Sequence, residues 1–460
     1  MESRGRGKRS KKVALRLEMN SKLRRTLNLA VVLCLAAFVG GPIGWATVIG
    51  RSEAAQSLTT ERISALPTAE RGVWLAYLQR SERQEKLDRA ALASERQGMK
   101  DIPPDPQLGF SARSMPLDRE ASWYGSPEAR HIADVIVSFQ TLAGGWGKNM
   151  NMDGSARVRG QSFVPDNSNR LPSPNDFDAA RDPSWHYVGT LDNDATTTQM
   201  HFLAKVQANV GSADGDAYRA AFLRGVRYLL AAQYPNGGWP QVWPLEGGYH
   251  DAITFNDDAV YNATELLTDI SEGKPDTAFV PKELRNKAAS AAASALKCIL
   301  AAQFRVSGRE TIWGQQVDML TLQPVAARNY EPAALSSEES AHLLSYLMSV
   351  PHSSAQVKVA ISSGISWLQA HAIYGKAVVG GRNTPEGRHL VAQQGAGPLW
   401  ARFYALDTEK PIFGDRDKTL HDDMNEISLE RRNGYAWFNT APAAALSEYD
   451  SWKLSKNAKQ

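Results

Sequence analysis

Leu229-Leu230-Ala231-Ala232-Gln233, followed by Asn236-Gly237-Gly238-Trp239, is the stretch on which the fold turns. An apolar helical end stops at a glutamine, a Gly-Gly pair takes the chain through a left-handed turn, and a large ring follows. The pattern returns upstream as Val137-Ser138-Phe139-Gln140 with Ala143-Gly144-Gly145-Trp146, and downstream as Ile299-Leu300-Ala301-Ala302-Gln303 with Gly308 and Trp313. The Gln-to-Trp spacing is 6, 6 and 10 residues. A single copy reads as a turn plus a packing aromatic. Three copies with matching glutamines read as links between the helices of a repeat. Helical hairpins repeated in this way stack side by side, and a few close into a ring whose loop ends surround a cleft.

The helical period dominates around these links. Phe222, Val226, Leu229, Leu230 and Gln233 share one face, as do Leu284, Ala288, Ala291, Ala295 and Ile299. Pro281 stands where a helix tolerates proline best, at its first turn. Alternating strands are scarce, with Thr311-Ile312-Trp313 as a short candidate. The expectation is a mainly α chain, an (α/α) toroid or barrel of helical hairpins. An irregular N-terminal extension over residues 47–125, with one helical run near Thr68 to Arg96, is expected to pack on it. The catalytic (α/α) domain is expected over 126–452 and a short tail over 453–460.

Composition bounds the function. The 460 residues are 43% hydrophobic and 22% charged, with 12 Trp, 14 Tyr and 13 Phe, which excludes disorder as the main state. Ten Lys/Arg and two Glu fall in residues 1–46, so of the 52 basic and 49 acidic residues the remainder holds 42 and 47, a net charge of −5. A mildly acidic body argues against nucleic acid as a partner, because phosphate binding needs a clustered basic excess. The basic N-terminus runs into the apolar stretch Leu29 to Val39 and then Gly44-Trp45-Ala46, the pattern of a signal peptide or, uncleaved, of a membrane anchor. The chain is expected to be exported. Of the two cysteines only Cys298 lies beyond that segment, in an Ala-rich helix where it reads as a small core residue.

Two acidic clusters stand directly before helices: Leu191-Asp192-Asn193-Asp194 and Phe255-Asn256-Asp257-Asp258. Capping needs one or two such residues, and each cluster supplies three. Oxygen-rich clusters also suit a hard cation such as calcium, though the EF-hand spacing is missing. The nine histidines are scattered singly, with no HExxH, CxxC, phosphate loop or G-x-S-x-G elbow. Basic residues recur in aromatic, turn-rich segments: Lys148 after Gly144-Gly145-Trp146-Gly147, Arg328 in Ala327-Arg328-Asn329-Tyr330-Glu331, and Arg431-Arg432 before Asn433-Gly434-Tyr435-Ala436-Trp437. If they converge with the carboxylates they form a groove for a polyanion, since guanidinium binds carboxylate in a two-pronged geometry.

Taken in order, these segments resemble the pectate lyases of polysaccharide lyase family 10. The resemblance rests on residues 143–149, 191–197, 233–241, 253–259, 313–318, 327–331 and 430–437, and spans roughly 125–452. It implies an (α/α) toroid with a groove for de-esterified homogalacturonan, a Ca2+ requirement and β-elimination to 4,5-unsaturated oligogalacturonates by a monomeric enzyme. By the same resemblance Asp192 and Asp257 are calcium-associated carboxylates, and Arg328 is the catalytic base, acting with Asp192. Lys148, Asn149, Asn193 and one of Arg431 or Arg432, taken as Arg432, hold galacturonate. Two positions depart from the family pattern: Val317 where a His is expected, and Gly147 where Pro is common, so altered subsite contacts are expected. Two other readings fit the same residues. One is an inverting glycoside hydrolase using two of Asp192, Asp257 and Asp258; the other is a non-catalytic pectin-binding surface protein.

Overall fold

The computed structural model describes residues 47–109, 115–165, 175–178, 188–211, 214–351 and 353–457. Residues 1–46, where the export segment is expected, His186, His352 and the last residues of the tail lie outside them. Among the described residues no helix is long and apolar enough to cross a membrane. The helices are α1 (Thr60–Ser64), α2 (Thr68–Arg96), α3 (Pro127–Ser138), α4 (Thr197–Asn209), α5 (Asp216–Ala232), α6 (Ala259–Glu272), α7 (Lys282–Ala301), α8 (Ser337–Ser349), α9 (Ala355–Ala370), α10 (Leu429–Gly434) and α11 (Ala441–Asn457). Strands are mostly two residues long.

The (α/α) toroid is built from hairpins, α4 packing on α5, α6 on α7 and α8 on α9, with α3 set against α4 and α11 against α8 and α9. Alternate helices also touch in sequence order, α3 against α5, α5 against α7 and α7 against α9. The matching glutamines explain why. At the end of α3, Gln140 donates through Nε2 to Gly144 O at 2.7 Å and to Ala221 O of α5 at 2.9 Å. Gln233 does the same to Gly237 O and Ala291 O of α7, and Gln303 to Thr311 O and Ala360 O of α9. Each glutamine therefore fixes its own turn and the next helix with one amide. The glycines are required by that approach: at Gly237, with φ +99°, a Cβ would stand 2.2 Å from Ser294 O.

The tryptophans close the same links. Trp146, Trp239 and Trp313 are fully buried, and their indoles donate to Ile136 O, Leu229 O and Ile299 O, each a carbonyl of the helix just completed. A fourth copy emerges here, because Trp400 donates to Leu368 O of α9 in the same way. In this copy a β-hairpin (Lys376–Val379 with His389–Ala392) stands where the others have a short turn. Thr311–Trp313 is not a strand. The ladder runs through Arg305–Val306 and Arg309–Glu310, and the residues beyond it are held by Thr311 N to Phe304 O and Phe304 N to Ile312 O.

Between each tryptophan and the helix that follows, two-residue strands join neighbouring copies: Gly189–Thr190 with Val242–Trp243, Ile253–Thr254 with Gln316–Val317, and Leu335–Ser336 with Phe403–Tyr404. These pairings carry the segments that precede α4, α6 and α8 to one rim. The extension packs on the toroid through α2, whose Trp74, Tyr77 and Leu78 are buried in its core. Tyr77 donates its hydroxyl to Ala232 O at 2.8 Å.

Candidate active site

The two acidic clusters do not cap the helices that follow them. Asp192–Asp194 and Asn256–Asp258 each fold as a tight 3-10 turn, and no side-chain cap is made at the start of α4 or α6. Asn193, Asp194, Asp257 and Asp258 take left-handed φ of 54°, 60°, 50° and 59°. Asn and Asp are the non-glycine residues that enter this region most readily, and even so each costs of order 1 kcal/mol. The strain sits where the two turns touch.

That contact brings two carboxylates together. Asp192 and Asp257 become neighbours that share one amide. The Asn256 amide lies between them, its Nδ2 2.7 Å from Asp257 Oδ2 and 3.4 Å from Asp192 Oδ1. The Lys148 ammonium pairs with Asp192. Burial pushes Asp192 up, but Lys148, the neighbouring Asp257 and the charge of Arg328 outweigh it and hold the carboxyl well below its usual range. Asn193 donates to Asn149 Oδ1 at 3.1 Å, so Lys148, Asn149, Asp192, Asn193 and Asp257 form one contiguous group.

Two carboxylates in contact must share a proton or a cation, and every donor here is an oxygen. Such a set fits calcium. Among the described residues no cluster of three or more His, Cys, Asp or Glu could hold a metal. A calcium ion held by Asp192 and Asp257 would therefore take most of its ligands from water and from whatever binds beside them.

Arg328 lies on a neighbouring loop, its side chain 39% exposed, forked onto Glu331, which is 2% exposed. Nε donates to Glu331 Oε2 at 2.8 Å and Nη2 to Oε1 at 2.7 Å. The Tyr435 hydroxyl donates to the same Oε1 at 2.8 Å. Burial would lower the guanidinium, but Glu331 wins and holds it well above the ordinary arginine value. The carboxyl of Glu331, pushed up by burial, is pulled down further by Arg328 to about 2.

Several neighbours carry no clear signal in the sequence. Arg402 bridges the halves of the site: its Nη2 reaches Asn256 Oδ1 at 3.3 Å, it pairs with Glu338 and Glu339, and its guanidinium sits 5.1 Å from the Tyr435 ring. Its only mark in the chain is an arginine between buried rings, Trp400-Ala401-Arg402-Phe403-Tyr404. Glu331 is legible only as part of a motif. His250 is buried beside Lys148, and burial pushes its imidazole down to about 3, leaving it neutral.

The structure places the remaining candidates elsewhere. Arg432 does not join the group: it turns to the Arg388 carbonyl at 3.2 Å, while Arg431 lies 4.2 Å from the Tyr330 ring, buried and paired with Glu430. Neighbours on a short helix, α10, point to different sides. Val317, in place of the expected His, is fully buried and paired with Ile253, so it does not line a groove. Gly147 is fixed by packing, since a Cβ there would stand 2.5 Å from Val164 Cγ1. Asp258, a candidate for acid or base, is bonded to His342 Nδ1 at 2.7 Å.

The pectic acid lyase family model matches residues 140–446. No curated protein sequence matches the chain. Among solved structures, the family 10 polysaccharide lyase from Cellvibrio cellulosa is similar at 28% identity and a TM-score of 0.60, covering 75% of this chain and 99% of that one. An Asp-to-Ala mutant of that lyase, in complex with trigalacturonic acid, matches with the same identity, coverage and TM-score. The repeat of helical hairpins, the paired carboxylates on its rim and these matches agree: the chain belongs to the pectic acid lyases of polysaccharide lyase family 10 and is a pectate lyase.

Proposed function

We propose that the enzyme cleaves de-esterified homogalacturonan by calcium-dependent anti β-elimination, giving 4,5-unsaturated oligogalacturonates. The observation that carries this reading is the contact of Asp192 with Asp257 within one network that also holds Lys148 and feels the charge of Arg328. Asp192 and Asp257 would hold calcium, which when bound would supply a hard positive charge beside a galacturonate carboxylate and so acidify the adjoining C–H. Lys148 and Arg402 add fixed positive charge for the same carboxylate. Asn149 and Asn193, tied to each other, orient the ring beside them.

Arg328 takes the C5 proton. The C–H electron pair becomes the C4–C5 double bond, the C4 glycosidic bond breaks, and water protonates the departing oxygen. Glu331 occupies one edge of the guanidinium, and among the described residues no hydrogen bond involves Nη1. The open edge is the one that faces substrate. The enzyme is proposed to act as an exported monomer, with residues 1–46 as signal peptide or anchor.

The test is ultraviolet absorbance on polygalacturonate with and without chelator. A conjugated double bond absorbs, so absorbance should rise with calcium and stop with EDTA. Cleavage to reducing ends with no absorbance would mean hydrolysis, and retention of polymer without turnover would mean a binding protein.

A further inference from the structure

Thr47, where the described chain begins, meets a carboxylate. Its backbone N donates to Glu426 Oε2 at 2.8 Å. The residues that follow hold it there: Ile49 N donates to Leu420 O at 2.8 Å, Ser52 N donates to Lys418 O at 2.9 Å, and Gly50–Arg51 pairs antiparallel with Thr419–His421. Thr419–His421 pairs in turn with Phe413–Gly414, where a Cβ on Gly414 would stand 2.3 Å from Tyr330 O. This sheet therefore backs the loop that carries Arg328. The Glu426 side chain is 27% exposed, and among the described residues no Lys or Arg pairs with it; His421 Nδ1 lies 3.4 Å from the same Oε2. Arg51, on the adjoining strand, turns instead to Asp417 O at 3.2 Å. Glu426 thus holds a neutral amide in a place where a cation would add Coulomb attraction.

The chain itself supplies that cation when it is cut. Gly44-Trp45-Ala46, outside the described residues, is the small-x-small pattern that precedes a cleaved bond. Hydrolysis of the next bond adds one water: the Ala46 carbonyl takes the OH, Thr47 N takes the H, and a proton from solvent completes an α-ammonium below its ordinary pKa of about 7.7–8.0. The nitrogen that becomes charged is the one 2.8 Å from Glu426. The fold also disfavours the uncut alternative. A membrane span needs about 20 apolar residues, and Thr47, Ile49 and Gly50, at the end of the uncharged run 26–50, are already bonded to the folded chain. An anchor would have to use all that is left of that run, Gly40-Gly41-Pro42 included, with no spacer before the fold. Resting on the reading of residues 1–46 as an export segment, we propose that the chain is cut between Ala46 and Thr47 and that the new Thr47 ammonium pairs with Glu426. The pair fastens the outer strand of the sheet behind Arg328.

The full chain is expressed in a host that exports it, and the exported protein is sequenced from its N-terminus, where Thr47 is expected. Its α-amino group is then trace-labelled with acetic anhydride from pH 6 to 10, in wild type and in Glu426→Gln. In wild type the group should titrate at least about half a unit above its ordinary value, the scale of an exposed ion pair. Labelling at pH 7.5 should accordingly be about threefold slower than in Glu426→Gln, and high salt should narrow the gap. An exported protein that begins anywhere but Thr47, whether uncut or cut elsewhere, overturns the inference. A wild-type α-amino group that titrates within about 0.3 unit of its ordinary value overturns it as well, and that measurement decides even where Glu426→Gln does not fold. Failure of the export reading looks different: the chain then stays in the cytosol with residues 1–46 attached, and both readings fall.

Discussion

Replacing Arg328 by lysine separates the two properties that a base must have, protonation and position. At about pH 9, an arginine with an ordinary pKa of about 12.5 is neutral in only roughly one molecule in three thousand, a penalty near 5 kcal/mol at 1.36 kcal/mol per unit. The fork with Glu331 raises that penalty. A lysine of ordinary pKa, about 10.4, is neutral in roughly one molecule in 25 at the same pH. Protonation alone would thus favour lysine about a hundredfold. Position favours arginine: Nε and Nη2 bind Glu331 at 2.8 and 2.7 Å while Nη1 projects from the other edge. An ammonium pairs with Glu331 as a single point and leaves no second nitrogen for the substrate. Arg328→Lys is therefore expected to lower kcat by about 10³ or more, roughly 4 kcal/mol of barrier, with KM little changed. Initial rates across polygalacturonate concentrations at matched calcium, from pH 7 to 10.5, decide it. In wild type kcat should rise about tenfold per pH unit where proton loss from Arg328 limits the rate. A mutant kcat within about threefold of wild type, under roughly 1 kcal/mol, refutes Arg328 as base.

Asp257→Ala should abolish turnover at low calcium and raise the calcium requirement while leaving far-ultraviolet circular dichroism unchanged, because Asp257 caps no helix; loss of the helical signal would return it to a structural role. Asp88 is fully buried on α2, its Oδ2 has no partner, and burial pushes it from 3.8 up to about 7 despite the bond from Gln84. A raised carboxyl stabilises the fold below its unfolded pKa and loses that stability as pH rises to the folded value, here by at most about 4 kcal/mol between pH 4 and 7. Asp88→Asn should accordingly flatten the fall of Tm from pH 5 to 9, and an unchanged slope would exclude Asp88 as its source. Gln303→Ala removes two bonds, of 2.9 and 3.0 Å, that tie the end of α7 to its turn and to α9. Thermal melts should show a loss of about 2 kcal/mol, and a shift of less than about a degree would mean that these links do not hold the ring.

The sequence by itself determined what rests on local order. Helix period, Gly-Gly turns and the recurring Gln and Trp specify helical hairpins joined in one way, because each device acts within a turn or two of its own position. The run from Thr68 to Arg96 is helical over those residues for the same reason. The candidate residues Lys148, Asp192, Asn193, Asp257 and Arg328 were legible in the chain itself, while Asn149 and the role of Arg328 as base came only through the family resemblance. Tertiary structure alone decided how they meet. Asp192 and Asp257 are 65 positions apart, and their contact depends on strands of two residues, too short to leave a period, pairing successive copies. The fourth copy, ending at Trp400, was hidden because a hairpin replaces its short turn. Arg402 carries no motif of its own, and its place between Asn256, Glu339 and Tyr435 follows from packing across the ring. Which of Arg431 and Arg432 turns inward was likewise undecidable from adjacency, since successive residues of a helix point about 100° apart and only the contacts of α10 select the face.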